Sequence, residues 1–198
     1  METTKNQKKT QVKSILRDWV ESILIAFILA MFIRTFFFQA FRIPSGSMRM
    51  TLIEGDRLLV NKLHYGPLIP FTKKRISGFS HPQRGDIIVF VSPEDPKKDF
   101  IKRLIARGGE TVSIKNGKIY VNGKLVDLPV LKNIYYYNRG QFGGVNQMIK
   151  VPEGHFYVLG DNSSSSNDSR FWGFVSEHSV IGKADLIYWP LSRIRFLK

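Results

Sequence analysis

Hydrophobic and polar residues follow two regimes along this chain. Residues 1–18 are polar, with Lys5, Lys8, Lys9, Lys13 and Arg17 set against Glu2 and Asp18. An apolar run from Trp19 to Phe38 follows, uncharged from Ser22 to Ile33, with Glu21 and Arg34 near its ends. A run of about 20 residues suits the hydrocarbon core of a bilayer, and Arg34 can snorkel to an interface. After Pro44 the period shortens to that of strands. Residues 56–62, 86–91, 100–105, 111–114, 118–121, 155–160, 180–184 and 186–189 read as β, and a short strand follows from Lys124. Asn116-Gly117 and Asn122-Gly123 are hairpin signals, because both residue types tolerate positive φ. Residues 64–83 and 135–146 read as loops.

This patterning predicts a mostly β protein: antiparallel coiled sheets with a small inserted hairpin region, plus one N-terminal transmembrane helix. The expected divisions are a tail at 1–18, an anchor at 19–40 and a folded domain at 41–198, with the smaller β region near 107–150. The tail is expected as disordered chain or frayed helix. A cleavable leader and a buried core helix compete with the anchor reading. Phe37-Phe38-Gln39-Ala40-Phe41-Arg42 is a poor small-residue cleavage site, and a basic tail with aromatic flanks is unusual for a core helix. The basic tail then marks the cytoplasmic side, and the domain is exported.

Composition narrows the chemistry. The chain has 198 residues and no cysteine, which excludes disulfides, a thiol nucleophile and a Cys-ligated zinc site. His64, His81, His155 and His178 are far apart and show no ligand spacing. Lys+Arg 30 against Asp+Glu 16 gives a net charge of +14, which favours anionic partners. The basic residues form no long run, so an acidic lipid surface explains them more simply than nucleic acid does. Leu68-Ile69-Pro70-Phe71, beside Lys73-Lys74-Arg75, could dip into such a surface; a plain loop over a sheet edge is the preferred reading.

The candidate chemistry centres on Phe41-Arg42-Ile43-Pro44-Ser45-Gly46-Ser47-Met48. By local chemistry Pro-Ser-Gly-Ser is a turn. A serine nucleophile there needs a base, and no histidine stands in a motif that advertises one. Lys102 is the alternative. Strand alternation puts it on one face with Phe100 and Leu104, opposite Ile101, Arg103 and Ile105. Such a lysine is either a rim residue with a snorkelling stem or a buried amine whose charge desolvation disfavours. A neutral amine can serve as a general base, with a further serine to orient it, and the Ser47 N–H with the Ser45 hydroxyl could receive an oxyanion. Residues 161–170, bounded by Gly160-Asp161-Asn162 and Asp168-Ser169-Arg170, read as a tight hydrogen-bonded turn despite four serines in a row.

Five blocks in order carry a resemblance: Ile43 to Met48 with Thr51-Leu52; Gly55 to Val60; Arg84 to Phe90; Ile101-Lys102-Arg103 with Gly108-Gly109-Glu110; and Gly160-Asp161-Asn162 through Ser166, Asp168-Ser169-Arg170 and Trp172-Gly173-Phe174. The chain resembles the type I signal peptidases, membrane-anchored Ser–Lys proteases of bacteria. The resemblance implies Ser47 as nucleophile, Lys102 as general base, Ser45 in the oxyanion hole and Ser166 orienting the amine. It implies a supporting ion pair between Asp168 and Arg170, with Arg103 able to join it. Ile43, Pro44, Met48, Leu52, Phe100 and Ile101 match positions lining shallow pockets for small side chains. The implied substrates are precursors bearing signal peptides, bound extended along strand edges, at the bacterial cytoplasmic (inner) membrane with the catalytic domain outside. Anionic lipids are the implied further partner; no cofactor, metal or nucleic acid is implied. The chain departs from the family pattern at Met50, where proline is usual, and in the plain Ser163-Ser164-Ser165 run. Two rivals stand beside this reading: a specialised or weakened paralogue with few clients, and a non-catalytic membrane-tethered basic protein.

Overall fold

The computed structural model describes residues 2–69, 72 and 74–197, with side chains from residue 17 onward. A long helix α1 (Glu2–Phe36) is followed by β1 (Phe38–Arg42), β2 (Arg57–Asn61), β3 (Ile87–Val91), β4 (Asp99–Arg107), β5 (Thr111–Lys115), β6 (Lys118–Val121), β7 (Lys124–Leu125), β8 (Ile149–Lys150) and β9 (His155–Leu159). A single turn of helix, α2 (Ser169–Trp172), then precedes β10 (Val175–Ser176), β11 (Val180–Trp189) and β12 (Arg195–Phe196). The fold is mostly β, with two curled antiparallel sheets.

The larger sheet runs in the order β1-β2-β11-β3-β4-β9-β10, with β12 beside β11. Register shifts at Leu104/Ala106 and along β11 bend the strands and curl the sheet. Two strands were expected between Val180 and Trp189. The structure has one, bulged at Asp185, whose carboxylate leaves the ladder to meet His64 Nε2 at 3.1 Å. The second sheet, β7-β6-β5-β8, contains both Asn-Gly turns. Asn116 and Gly117 have φ of 50° and 72°, and Asn122 and Gly123 have 51° and 76°. Two consecutive positive φ values match the turn's twist to that of the strands it joins.

The helix is continuous through the basic tail and stops at Phe36, short of the expected anchor limit at residue 40. Phe38, Gln39 and Ala40 pair with Asn61, Val60 and Leu59 instead. In this strand Gln39 and Phe41 are partly buried while Phe38 and Ala40 are exposed, and the strand replaces the last turn of the apolar run. The segment Arg17–Phe36 has a mean hydropathy of 1.8 and none of it is buried. In the 64–83 loop, Pro70, Phe71 and Lys73 lie outside the described residues. Arg75 donates to the carbonyls of Gly66 and Val180, so this cation ties the loop to β11.

Three apolar clusters hold the sheets. One lies under the smaller sheet and includes Ile105, Val112, Ile114, Ile119 and Tyr136. A second surrounds Met48 and Leu52 with Leu58, Val60, Val89 and Ile187. The third gathers Tyr65, Ile88, Phe90, Leu104, Phe156 and Val158. The chemistry-bearing residues sit where the second and third clusters meet along β4.

Candidate active site

Ser47 sits in a single 3-10 turn, Gly46–Met48, directly after β1. Its placement depends on the distant 160–166 loop. Asn162 N–H donates to Ser47 O at 2.9 Å, and Asn162 Nδ2 donates to Gly46 O at 2.9 Å. Asp161 N–H donates to Met48 Sδ at 3.4 Å. On the other side, Thr51 and Leu52 N–H both return to Met48 O, closing a helical turn. The Pro-Ser-Gly-Ser segment is a turn, as its composition says. It is also pinned at both ends, and Ser47 is buried.

Lys102 comes from β4, where the strand changes neighbours. Residues Asp99–Arg103 pair with β3, and β9 begins only opposite Arg103. Lys102 is 4% exposed. Its Nζ donates to Ser47 Oγ at 2.8 Å and to Ile101 O at 3.0 Å, and lies 5.5 Å from the Phe100 ring centroid. Burial pushes the amine's pKa down to about 8, against a smaller upward pull from Asp168 and Asp161. The dry apolar wall disfavours the ammonium form. Ser47 and Lys102 are thus brought together across 55 positions of sequence.

Two arginine–carboxylate pairs underlie this contact. Arg170 donates to Asp168 through Nε at 2.8 Å and Nη2 at 2.9 Å, as a fully buried bidentate pair. Asp168 Oδ2 also accepts from Gly160 N–H at 3.0 Å. Arg103 does not join that pair. It donates to Asp161 through Nε at 2.9 Å and Nη2 at 2.6 Å, and to Gly85 O and Thr51 Oγ1. The register explains this: Arg103 stands opposite Leu159, so its side chain meets the residues that leave the end of β9. Asp161, Thr51, Asn162 and Ser163 are supporting residues to which the sequence reading gave no role. Ser163 Oγ accepts from Arg170 Nη1 at 2.8 Å and from Tyr137 N–H at 3.0 Å. Their only sequence signal was position inside the blocks flanking Ser45 and Ser166.

Ser166 is buried, and its Oγ has no hydrogen-bond partner among the described residues; the second bond of the Lys102 amine goes to Ile101 O. Ser45 is exposed and its side chain caps nothing. Of the expected pocket residues, Met48 and Leu52 have no exposed surface and Ile43 is 3% exposed. Met48 and Leu52 form the floor behind the turn, while Ile43 also borders the open cleft beside it. Pro44 is exposed, and Phe100 and Ile101 are half-buried. Arg42, Ile43, Pro44, Glu54 and Gly55 line an open cleft beside the turn.

Gly160 is the contact point of the two loops. A Cβ there would lie 2.1 Å from Ser166 Oγ and 2.5 Å from Ser47 O. Gly160→Ala should therefore displace the Ser47 turn and lengthen the 2.8 Å contact between Ser47 and Lys102; a crystal structure of the variant with that contact intact would refute this. Asp168→Ala would strand the buried Arg170 guanidinium, and chemical denaturation in detergent should show a loss of about 3–5 kcal/mol.

The comparisons agree on one family. The model for signal peptidase, peptidase S26, matches residues 16–189. The chain is 36% identical to signal peptidase I of Aquifex aeolicus, over 88% of this chain and 84% of that protein. It is 34% identical to signal peptidase I of Bacillus amyloliquefaciens, over 98% and 100% of the two chains, and 31% identical to signal peptidase I of Pseudomonas aeruginosa, over 92% and 76%. On the span of that match and the extent of these identities, the chain belongs to the signal peptidase family, peptidase S26.

Proposed function

We propose that this serine endopeptidase removes signal peptides from exported precursors through Ser47 as nucleophile and Lys102 as general base. The observation that carries the reading is the 2.8 Å contact between Ser47 Oγ and a buried amine whose charge is disfavoured. A neutral Lys102 takes the Ser47 proton along that line as Oγ attacks the scissile carbonyl. The C–N bond breaks, the ammonium returns the proton to the departing amine, and the signal peptide is left as an ester on Ser47. Lys102 then takes a proton from the water that hydrolyses the ester.

The Ser47 N–H and the Ser45 hydroxyl are the proposed oxyanion donors. The exposure of Ser45 leaves its hydroxyl free to turn towards a bound carbonyl. Ser166 is the proposed orienter of the amine. A buried hydroxyl without a partner is costly, and a bond to Lys102 Nζ would satisfy it. An extended substrate would add as a strand between the outer edge of β1 and the part of β4, residues 99–102, that faces no neighbour beyond β3. Pro44, Phe100 and Ile101 would then touch its small side chains, with Ile43, Met48 and Leu52 behind them.

In this reading α1 is a single-pass anchor at the bacterial cytoplasmic membrane, with the basic tail inside and residues 41–198 outside. Anchoring confines enzyme and precursor to one interface and raises their effective concentration. The net charge of +14 would add attraction to anionic headgroups.

The purified protein in detergent should cleave a precursor bearing an Ala-X-Ala site, while Ser47→Ala and Lys102→Met are inert. Normal cleavage by Ser47→Ala would sink the mechanism. Vesicle binding with no cleavage by the native protein would favour a non-catalytic tether. The pH dependence follows from the lowered Lys102 pKa. Above about 8 the amine is mostly neutral and active; below it, each pH unit should cost about tenfold in kcat/KM as the base protonates. An acid limb centred near the ordinary lysine value of about 10.4 would contradict the assignment.

A further inference from the structure

The apolar helix α1 enters the folded domain through a small hydrogen-bonded joint. A helix leaves its last carbonyls without intrahelical donors, and at the edge of a bilayer such orphans are costly. In this chain Lys62 supplies the donors: Nζ bonds Arg34 O at 2.9 Å and Thr35 O at 3.3 Å. The Lys62 N–H donates to Phe37 O at 2.9 Å, extending the β1–β2 ladder one step beyond the Phe38–Asn61 pair. A cation at a helix C-terminus also complements the helix dipole. Among the described residues, Lys62 is the only one of the sheet domain that hydrogen bonds to the helix or to Phe37. From Arg17 to Arg34 the helix is exposed, and only Thr35 and Phe36 at its end are half-buried.

The joint is at the opposite end of β1 from the nucleophile. Antiparallel pairing aligns Phe38, Asn61, Lys183, Ile88 and Lys102 in one row across the curled sheet. Nine residues, 37–45, separate the helix end from the turn that carries Ser47, and the five of β1 among them span roughly 17 Å of extended chain. The side chain of Lys62 is half-buried. Burial lowers its pKa, Arg34 acts in the same direction, and Asp99 at the start of β4 opposes them. Lys62 and Asp99 are thus near enough to influence each other's charge.

From these observations we infer that Lys62 is a positioning residue: by capping α1 it fixes the angle of the helix to β1, and so sets the height of Ser47 above the bilayer and the bond that is cut in a membrane-held precursor. The inference rests on the proposed protease reading with α1 as the anchor. It makes β1 a rigid spacer whose foot is clamped by one amine. Without the clamp, the helix can swing about Phe37 and the site samples a range of heights. A substrate that is free in water does not sense the difference.

The test uses the full chain in vesicles of phosphatidylcholine with phosphatidylglycerol, comparing native protein, Lys62→Met and Lys62→Arg. One substrate is a precursor whose apolar segment lies in the same bilayer; the other is a water-soluble peptide with the same Ala-X-Ala site. Lys62→Met should retain peptide cleavage, lose on the order of tenfold in kcat/KM on the precursor, and yield additional product N-termini by mass spectrometry. Lys62→Arg, which keeps a cationic donor, should restore rate and site. Unchanged rate and a single cut site in Lys62→Met would overturn the inference. An equal loss on both substrates would overturn it too, since Lys62 would then only support folding. A native protein inert even to the soluble peptide would instead remove the protease reading on which the inference stands.

Discussion

A lysine amine can wait beside a serine as a base only if water and negative charge are kept from stabilising its ammonium form. That constraint organises the centre of this protein. Lys102 Nζ is enclosed between the Phe100 ring and the Ser47 turn, where desolvation is the largest influence on its pKa. Two carboxylates, Asp161 and Asp168, lie close enough to oppose that influence. Each is neutralised by its own bidentate arginine, Arg103 and Arg170, and the four groups are fully buried. Buried pairs of this kind contribute little net stability, because desolvation offsets their attraction. Their use here is to fix the 160–170 loop without leaving bare negative charge beside the amine.

The loop in turn fixes Ser47, the proposed nucleophile. Asp161 and Asn162 bond to Met48 and to the carbonyls of Gly46 and Ser47, while Gly160 lets the two loops approach more closely than any side chain would allow. Met48 and Leu52 anchor the same turn from below by burial in the sheet's apolar cluster. The turn is therefore held by backbone bonds on one side and by packing on the other. Ser47 needs no regular element of its own.

Met48 and Leu52 are fully enclosed, while Phe100 and Ile101 are half-buried and Pro44 is exposed. The outer edge of β1 and the 99–102 segment of β4, beyond β3, have no further strand beside them among the described residues, and β1 leads from the apolar helix to the Ser47 turn. The apolar helix, the β1 edge and Ser47 thus lie along one continuous stretch of chain.

Much of this was legible in the sequence wherever the cause is local. Asn-Gly pairs require positive φ and mark the hairpins; alternation and apolar runs mark β2, β3, β4 and β9; and an uncharged run of helical length marks α1. The motif blocks named Ser47, Lys102, Asp168 and Arg170, and the flanking Phe and Leu raised the possibility that Lys102 is buried. Long-range register was beyond reach. That Phe38–Ala40 belong to a strand depends on β2 lying alongside, and that Arg103 chooses Asp161 depends on its standing opposite Leu159. The enclosure of Met48 and Leu52, the Ser166 hydroxyl without a partner among the described residues and the cap that Lys62 places on α1 likewise depend on which segments meet. Sequence by itself determined the elements and the reactive residue types, because backbone sterics and side-chain polarity act within a few residues. Only the tertiary structure decided partners, burial and the depressed basicity of Lys102, because hydrogen bonds and desolvation act between atoms that the chain alone keeps far apart.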